Sequence, residues 1–426
     1  MVRQGAYTPQ QTTVDNQQKT PIAMINPKDP IAALEIGTTN TVLAIGEREG
    51  TNCIRVVALG SIPSIGVRKS QIVNIDQAAH SIDSVLKTVE KDFGYAIANT
   101  CLAVSGPHIQ SKRITAQWQI SGKIVDDDDM REIYNRSLET GLDPEDRLLL
   151  DESELGYGLD DMEDIPSPKG MSGHVLTRRS ICIHGDSRRI SDAKTAALRA
   201  KLEIADDDVY FAGSCAANAV LTVSDRNAGV LAIDMGGGST SYSLHEGGRI
   251  MYAGVLGVGG DHITNDVRTA FALTQTQAED LKRKASALVG SDTGPARIAV
   301  ASSTPGFDPV TVSRHALETV VNARIQEIFA VILDKLDHEN LTHHFNAGIV
   351  LTGGVSATPG ITALAEQVFG RRARIGEFVP DVIALDKGPA QASYATVAGL
   401  LLTAMHGQEP HSAGNPFTRI LGGLFG

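Results

Sequence analysis

The sequence predicts an α/β protein built from two like lobes that face one cleft. Two observations carry that reading. The first is a pattern that occurs twice: Leu34-Glu35-Ile36-Gly37-Thr38-Thr39-Asn40-Thr41 near the N-terminus, and Ile233-Asp234-Met235-Gly236-Gly237-Gly238-Ser239-Thr240 in mid-chain. Each is an apolar strand ending on a carboxylate, then a tight turn of glycine and hydroxyl residues, then a second strand, residues 42–45 or 242–244. The second is a succession of strand-like and helix-like segments from residue 31 to about 404, in a chain of 426 residues with 42% hydrophobic content, enough for two cores. Glycine lets backbone N–H groups approach phosphate oxygens, and the two acids can hold the water shell of a Mg²⁺ between the turns. A lone glycine run reads equally well as a flexible hairpin; the repeat in register is what points to a nucleotide's phosphate chain.

Composition removes other classes. The net charge of −12 argues against a nucleic-acid partner. Cys53, Cys101, Cys182 and Cys215 are widely spaced with no C-x-x-C pair, which suits reduced thiols in a cytoplasmic protein. The histidines, including His343-His344, lack metal-ligand spacing. No stretch approaches the roughly 18 apolar residues of a membrane span, and the Gln/Thr-rich residues 1–20 read as a polar arm rather than a signal peptide.

Taken in order, residues 31–36, 40–46 and 52–60 form a meander of strands. Residues 76–93 follow as a helix, with Ile82, Val85, Leu86, Val89 and Phe93 on one face and Gly94 to end it. Residues 101–105 are the next strand. The rhythm breaks over 106–180: a strand at 113–120, Asp126–Asp129 opening a helix over about 130–138, where carboxylates complement the helix dipole, then an acidic, glycine-containing stretch through Asp164. This reads as a small α+β insertion. A strand at 176–183 and a helix at 192–202 resume the pattern. Beyond the second glycine turn, helices are expected at 274–288, 313–336 and 361–369, a buried parallel strand at 347–352, and a last apolar helix at 388–405.

The tail stands apart. Residues 406–415 form a polar linker. After Pro416, a favoured first helical residue, Phe417, Ile420, Leu421, Leu424 and Phe425 fall on one helical face, with Arg419 the one charge. The linker and the dense apolar face favour a membrane-surface or partner helix over one docked on the protein's own core. Gly422, Gly423 and Gly426 each cost up to about 1 kcal/mol of helicity, so the tail is expected to fold only on a bilayer or partner. One such helix binds weakly; many on a polymer bind firmly.

These motifs together resemble a known family. Glu35–Thr39, Asp234–Ser239 and Ile349-Val350-Leu351-Thr352-Gly353-Gly354 are similar to the phosphate-1, phosphate-2 and adenosine motifs of the actin/hexokinase/heat-shock-chaperone superfamily. Phe211-Ala212-Gly213, Val220-Leu221-Thr222 and the run from Val258 to Asp266 resemble the FtsA family of bacterial cell-division proteins, as do Ser105-Gly106-Pro107-His108-Ile109 and Gly170-Met171-Ser172-Gly173, which bracket the insertion. The resemblance covers about residues 31–404, with a tail like that family's membrane-targeting helix.

It implies an actin-like two-lobed ATPase fold of duplicated ribonuclease-H-like domains, divided as follows. Residues 1–28 would be a disordered arm; 29–100, 181–228 and 385–404 subdomain 1A; 101–180 the inserted subdomain 1C; 229–258 and 346–384 subdomain 2A; 259–345 subdomain 2B; 405–415 a linker; and 416–426 the membrane helix. ATP with Mg is the implied ligand. Gly37, Thr38, Thr39 and Asn40 would meet its phosphates from one side and Gly236, Gly237, Gly238 and Ser239 from the other, Glu35 and Asp234 holding hydrated Mg²⁺. Gly353, Gly354 and Ser356 would line the adenosine pocket, and Glu279, Lys282 and Arg283 would meet ribose and base. For those three, a solvated helix face is the alternative.

The implied partners are the acidic C-terminal tail of the tubulin-like FtsZ, received by Arg324 and Glu327, a second copy of the chain in a filament, later division proteins on the insertion, and the inner face of the cytoplasmic membrane. For Arg324 and Glu327 the alternative is an ion pair within one helix. Glu35 stands where the superfamily usually has Asp, and Asp261 where the family often has Asn. The Gly213-Ser214 turn carries no acid where the chaperones place one near the attacking water, so hydrolysis is expected to be slow. Two other readings stay open: a pilus-assembly scaffold resembling PilM, and a small-molecule kinase of the hexokinase branch, for which no convincing base beside a sugar pocket is found.

Overall fold

A computed structural model describes residues 30–50, 52–141, 146–288, 294–301, 309–379, 382–385 and 391–407. The expected polar arm and the amphipathic helix with Phe417, Ile420, Leu421, Leu424 and Phe425 lie outside the described residues.

The duplication seen in the motifs extends to whole sheets. Ile31–Ile36, Asn40–Glu49 and Cys53–Pro63 form an antiparallel meander; on the far edge of Ile31–Ile36, Cys101–Val104 and then Val209–Phe211 are added in parallel. The second half repeats this order. Val230–Met235, Thr240–Glu246 and Arg249–Leu256 form the meander, and Gly348–Thr352 and Ala373–Ile375 are the two parallel additions. In each lobe the first strand is therefore flanked by a hairpin partner and a parallel neighbour, and its carboxylate emerges at the same end of the sheet. Burial along Cys53–Pro63 alternates, as a half-buried strand requires.

Helices Ala212–Val220 and Ala395–Gly407 share one apolar cluster with Ile31, Ala33 and Val42 of the first sheet and with Val230, Ala232 and Val350 of the second. This pair is thus the core common to both lobes. Its small residues permit the approach: a Cβ on Gly399 would overlap the Cys215 carbonyl. Helix Ile75–Phe93 packs on the other face of the first sheet. Asn74 caps it by accepting from the Gln77 N–H at 3.0 Å, and Gly94 ends it in the left-handed region at φ 86°.

Strands Gln110–Gln119, Val175–Asp186, Arg147–Leu159 and Met162–Ile165 form a sheet backed by helix Asp127–Gly141, with Ile133, Leu159 and Leu176 in a core of its own. It continues the second lobe's sheet through the single pairing Gly254–Gln110.

Three expectations need correction. The acidic stretch before Asp164 contains the long strand Arg147–Leu159; Asp151 and Glu152 are both buried, on opposite faces of it, and Glu152 pairs with the buried Arg178 at 2.8 Å, so no apolar alternation marks it. The last helix starts at Ala395 after a 3-10 turn, Gln391–Tyr394, and residues 386–390 of the expected helix lie outside the described residues. Strand Cys101–Val104 belongs to the first lobe's sheet, so the insertion begins after it rather than at 101.

Candidate functional site

The two carboxylate–glycine turns close with the same hydrogen bond. Gly37 N–H donates to the Asn40 carbonyl at 3.0 Å, and Gly236 N–H to the Ser239 carbonyl at 3.0 Å. The register matches as well, Glu35 opposite Val42 and Asp234 opposite Ser241. The tips touch across the lobe boundary: a Cβ on Gly237 would overlap the Thr39 hydroxyl, and one on Gly238 the Thr38 hydroxyl. At Gly238 the approach leaves no room for a side chain, since the Thr38 Cβ and the Lys69 Cα are also too near; at Gly237 a Cβ would make the Thr39 hydroxyl turn away.

Behind the tips lies a cleft of about 440 Å³, lined by Glu35, Gly37, Thr38, Thr39 and Asn40 from the first lobe and by Asp234, Gly236, Gly237 and Ser239 from the second. That volume suits a small ligand. Gly238 does not line it, being turned to the lobe contact. Sequence reasoning missed Ser70, Ser105 and Thr396, which do. Ser105 sits in a quoted motif, but nothing local marks Ser70.

Glu35 and Asp234 are half-buried acids that line the cleft. Burial and then the nearby Asp234 push the Glu35 carboxyl up to about 8, and burial pushes Asp234 up to about 6 against a hydrogen bond from Thr396. Among the described residues no cation acts on either carboxyl, and two neighbouring acids so placed make the environment of an oxygen-ligand cation site. The donor set is all oxygen and hard, and fits Mg²⁺. Two carboxylates do not saturate that ion, and no group of three or more His, Cys, Asp or Glu able to hold a metal occurs among the described residues. Phosphate and water would supply the rest. Gly353, at φ 81°, passes so close to Asp234 that a Cβ there would overlap its carboxyl oxygen.

The far end of the cleft takes Glu279, Lys282 and Arg283 from helix Gln275–Ala285, together with Gly353 and Gly354. The three charged side chains are tied together. Lys282 Nζ lies 2.6 Å from Glu279 Oε2 and donates to the Gly260 carbonyl at 3.1 Å, and Arg283 Nε meets Glu279 Oε1 at 2.9 Å. Burial works against the Glu279 charge, but hydrogen bonds from Lys282 and Thr264 outweigh it and hold its carboxyl below the usual range. Ser356 is not on the wall: it is buried and donates to the Gly353 carbonyl at 2.6 Å, bracing the turn.

Helix Gly260–Phe271 starts on the second glycine turn. The Gly260 N–H donates to the Gly236 carbonyl at 2.9 Å and the Asp261 N–H to the Gly237 carbonyl at 2.8 Å. The Asp261 backbone thus makes the turn's contact whatever its side chain, whose carboxyl burial raises. Five residues on, Asp266 accepts from Arg324 on helix Arg314–His338, Nε to Oδ2 at 2.6 Å and Nη2 to Oδ1 at 3.0 Å, while Arg324 Nη1 reaches Glu327 Oε2 at 2.5 Å. The expected pair Arg324 and Glu327 is therefore joined, with Asp266 as a third member that the sequence did not indicate. The described carboxylates lining the cleft are Glu35, Asp234 and Glu279; the Gly213-Ser214 turn has no acid of its own, and the buried Asp151 that faces Ser214 is not part of that lining.

Two lobes of one duplicated strand order, closing glycine turns on an acid-bearing cleft, define an actin-like fold. Solved structures agree: the PilM–PilN type IV pilus biogenesis complex superposes with a TM-score of 0.62 at 16% identity, over 90% of this chain and 100% of that one. The ADP-bound MreB5 of Spiroplasma citri gives 0.52 at 14% identity, over 90% and 100%. The model of the family "Cell division protein FtsA" matches residues 231–399, and that of the "SHS2 domain inserted in FTSA" matches residues 106–183. The cell division protein FtsA of Neisseria meningitidis serogroup B is 31% identical over 353 residues, 81% of this chain and 83% of that protein. The chain belongs to the FtsA family of cell division proteins.

Proposed function

We propose that this division protein binds ATP with Mg²⁺ between its lobes, assembles into filaments, and tethers FtsZ to the inner face of the cytoplasmic membrane through residues 416–426. The observation that carries the ATP reading is the pair of facing turns with Glu35 and Asp234 lining the cleft behind them. Glu35 and Asp234 would hold the cation's water shell, the N–H groups and hydroxyls of the turns would take the phosphates, and the end with Glu279, Lys282 and Arg283 would take the nucleoside. Bound Mg²⁺ would offset part of the negative charge of the phosphates and the two acids. The ADP-bound state of MreB5 supports a nucleotide in this fold.

The tether is the apolar face of Phe417, Ile420, Leu421, Leu424 and Phe425; no described helix is long and apolar enough to cross a membrane. Arg324 and Glu327 would receive the FtsZ tail, and the insertion would recruit later division proteins. The Gly213-Ser214 turn brings no acid of its own to the cleft, and Asp151 beside Ser214 lies outside the cleft lining, so the nucleotide acts as a conformational ligand and hydrolysis is slow.

Calorimetric titration of the full chain tests the site. Mg-ATP is expected to bind at one site, and Asp234→Asn to lose at least about tenfold in affinity in the presence of Mg²⁺ but little in EDTA. Equal loss in both conditions would remove the cation from the reading.

A further inference from the structure

A set of hydroxyls joins the lobes at the mouth of the cleft. Ser70 lies at the tip of the small hairpin Val67–Arg68 and Gln71–Ile72. Its N–H donates to Thr38 Oγ1 at 2.7 Å, and its own Oγ lies 2.8 Å from Ser239 Oγ in the other lobe. Ser105 Oγ approaches the same Ser239 hydroxyl at 3.2 Å and that of Ser241 at 3.0 Å. Lys69 and Ser70 are both left-handed, at φ 50° and 55°. A two-residue hairpin loop of that shape ordinarily takes Asn-Gly or Gly-Gly, so two residues with side chains there are strained, and such strain persists only where the surroundings impose it. Here both lobes hold the turn.

Thr38, Ser70, Ser105 and Ser239 all line the cleft. A hydroxyl both donates and accepts and can rotate. One bonded to another hydroxyl can turn its proton to an anionic oxygen without leaving a charge unpaired. We infer that Ser70 is a positioning and selectivity residue of the cleft. Its hydroxyl bonds Ser239 directly in the arrangement described here and turns to a terminal phosphoryl oxygen when a nucleoside triphosphate enters, so the lobe contact itself distinguishes triphosphate from diphosphate. This rests on the nucleotide reading above and adds to it the group that senses the terminal phosphate.

The test titrates the full chain, wild type, Ser70→Ala and Ser70→Gly, with Mg-ATP and with Mg-ADP. Ser70→Gly suits the left-handed backbone and keeps the fold while removing the hydroxyl. Both variants should weaken ATP about tenfold, the scale of a lost hydrogen bond to a charged group, and change ADP by less than about twofold. ATP and ADP weakened alike, or neither changed in a folded Ser70→Gly chain, would overturn the inference and leave nucleotide binding intact. A wild-type chain that binds neither nucleotide would overturn both.

Discussion

Arg324 and Asp266 form a two-point ion pair between neighbouring helices, and Asp266 lies on the helix whose first turn hydrogen-bonds the glycine turn at Gly236 and Gly237. The Arg324 fork is thus engaged by Asp266 and Glu327 together. An acidic peptide that uses Arg324 must compete with Asp266 for that fork.

Asp266→Asn should therefore tighten binding of an FtsZ tail peptide by about three- to tenfold, while Arg324→Ala removes most of it. Fluorescence anisotropy with a labelled peptide measures both. If Asp266→Asn weakens binding together with Arg324→Ala, the pair is part of the surface rather than a competitor for it.

Gly237→Ala puts a methyl group into the Thr39 hydroxyl. The Thr39 hydroxyl must then turn out of the turn contact, or the lobes part at the tips. Nucleotide affinity should fall at least about tenfold, whereas Thr39→Ser, which leaves the glycine contact in place, should change it by less than about threefold. Paired calorimetric titrations decide the matter.

Glu35 gives a pH dependence of definite sign. Its carboxyl is raised from 4.5 to about 8 by burial and by Asp234. Between those values the unfolded chain has released a proton that the folded chain keeps, so this group's contribution to stability declines as pH rises from 4.5 towards about 8. Glu35→Gln should raise the nucleotide-free melting temperature by a few degrees at pH 8, on the order expected for 1–2 kcal/mol, and little at pH 5. The same substitution should weaken Mg-ATP. Calorimetric melts across that range would contradict the account if the gain were larger at pH 5.

Gly399→Val drives a side chain into the Cys215 carbonyl between the two helices shared by the lobes. A loss of about 3 kcal/mol is expected in urea unfolding. Gly370→Ala is the comparison. It follows the helix Ile361–Phe369 at φ 64° with open space around it, and should cost about 1 kcal/mol from backbone strain alone.

The sequence made legible what is encoded locally. The two carboxylate–glycine turns announce themselves because turn chemistry resides in consecutive residues, and helix Ile75–Phe93 because its cap, its apolar face and Gly94 all agree. Strand Arg147–Leu159 was hidden because Asp151 and Glu152 are buried and Glu152 is matched by Arg178 from another strand. Ser70 was hidden for a related reason. Its partners Thr38 and Ser239 are brought to it by the lobes, and Lys69-Ser70 carries no glycine to flag a left-handed turn. Ser356 was placed on the wall by its motif, yet its hydroxyl is satisfied within its own turn.

Negative-stain electron microscopy of the full chain on a lipid monolayer, with and without Mg-ATP and beside a chain ending at Asn415, tests the central claim most directly. Filaments that need Mg-ATP and leave the lipid on truncation are the predicted result. Dispersed particles under conditions where ATP binding is measured, or filaments held on lipid without residues 416–426, would contradict it.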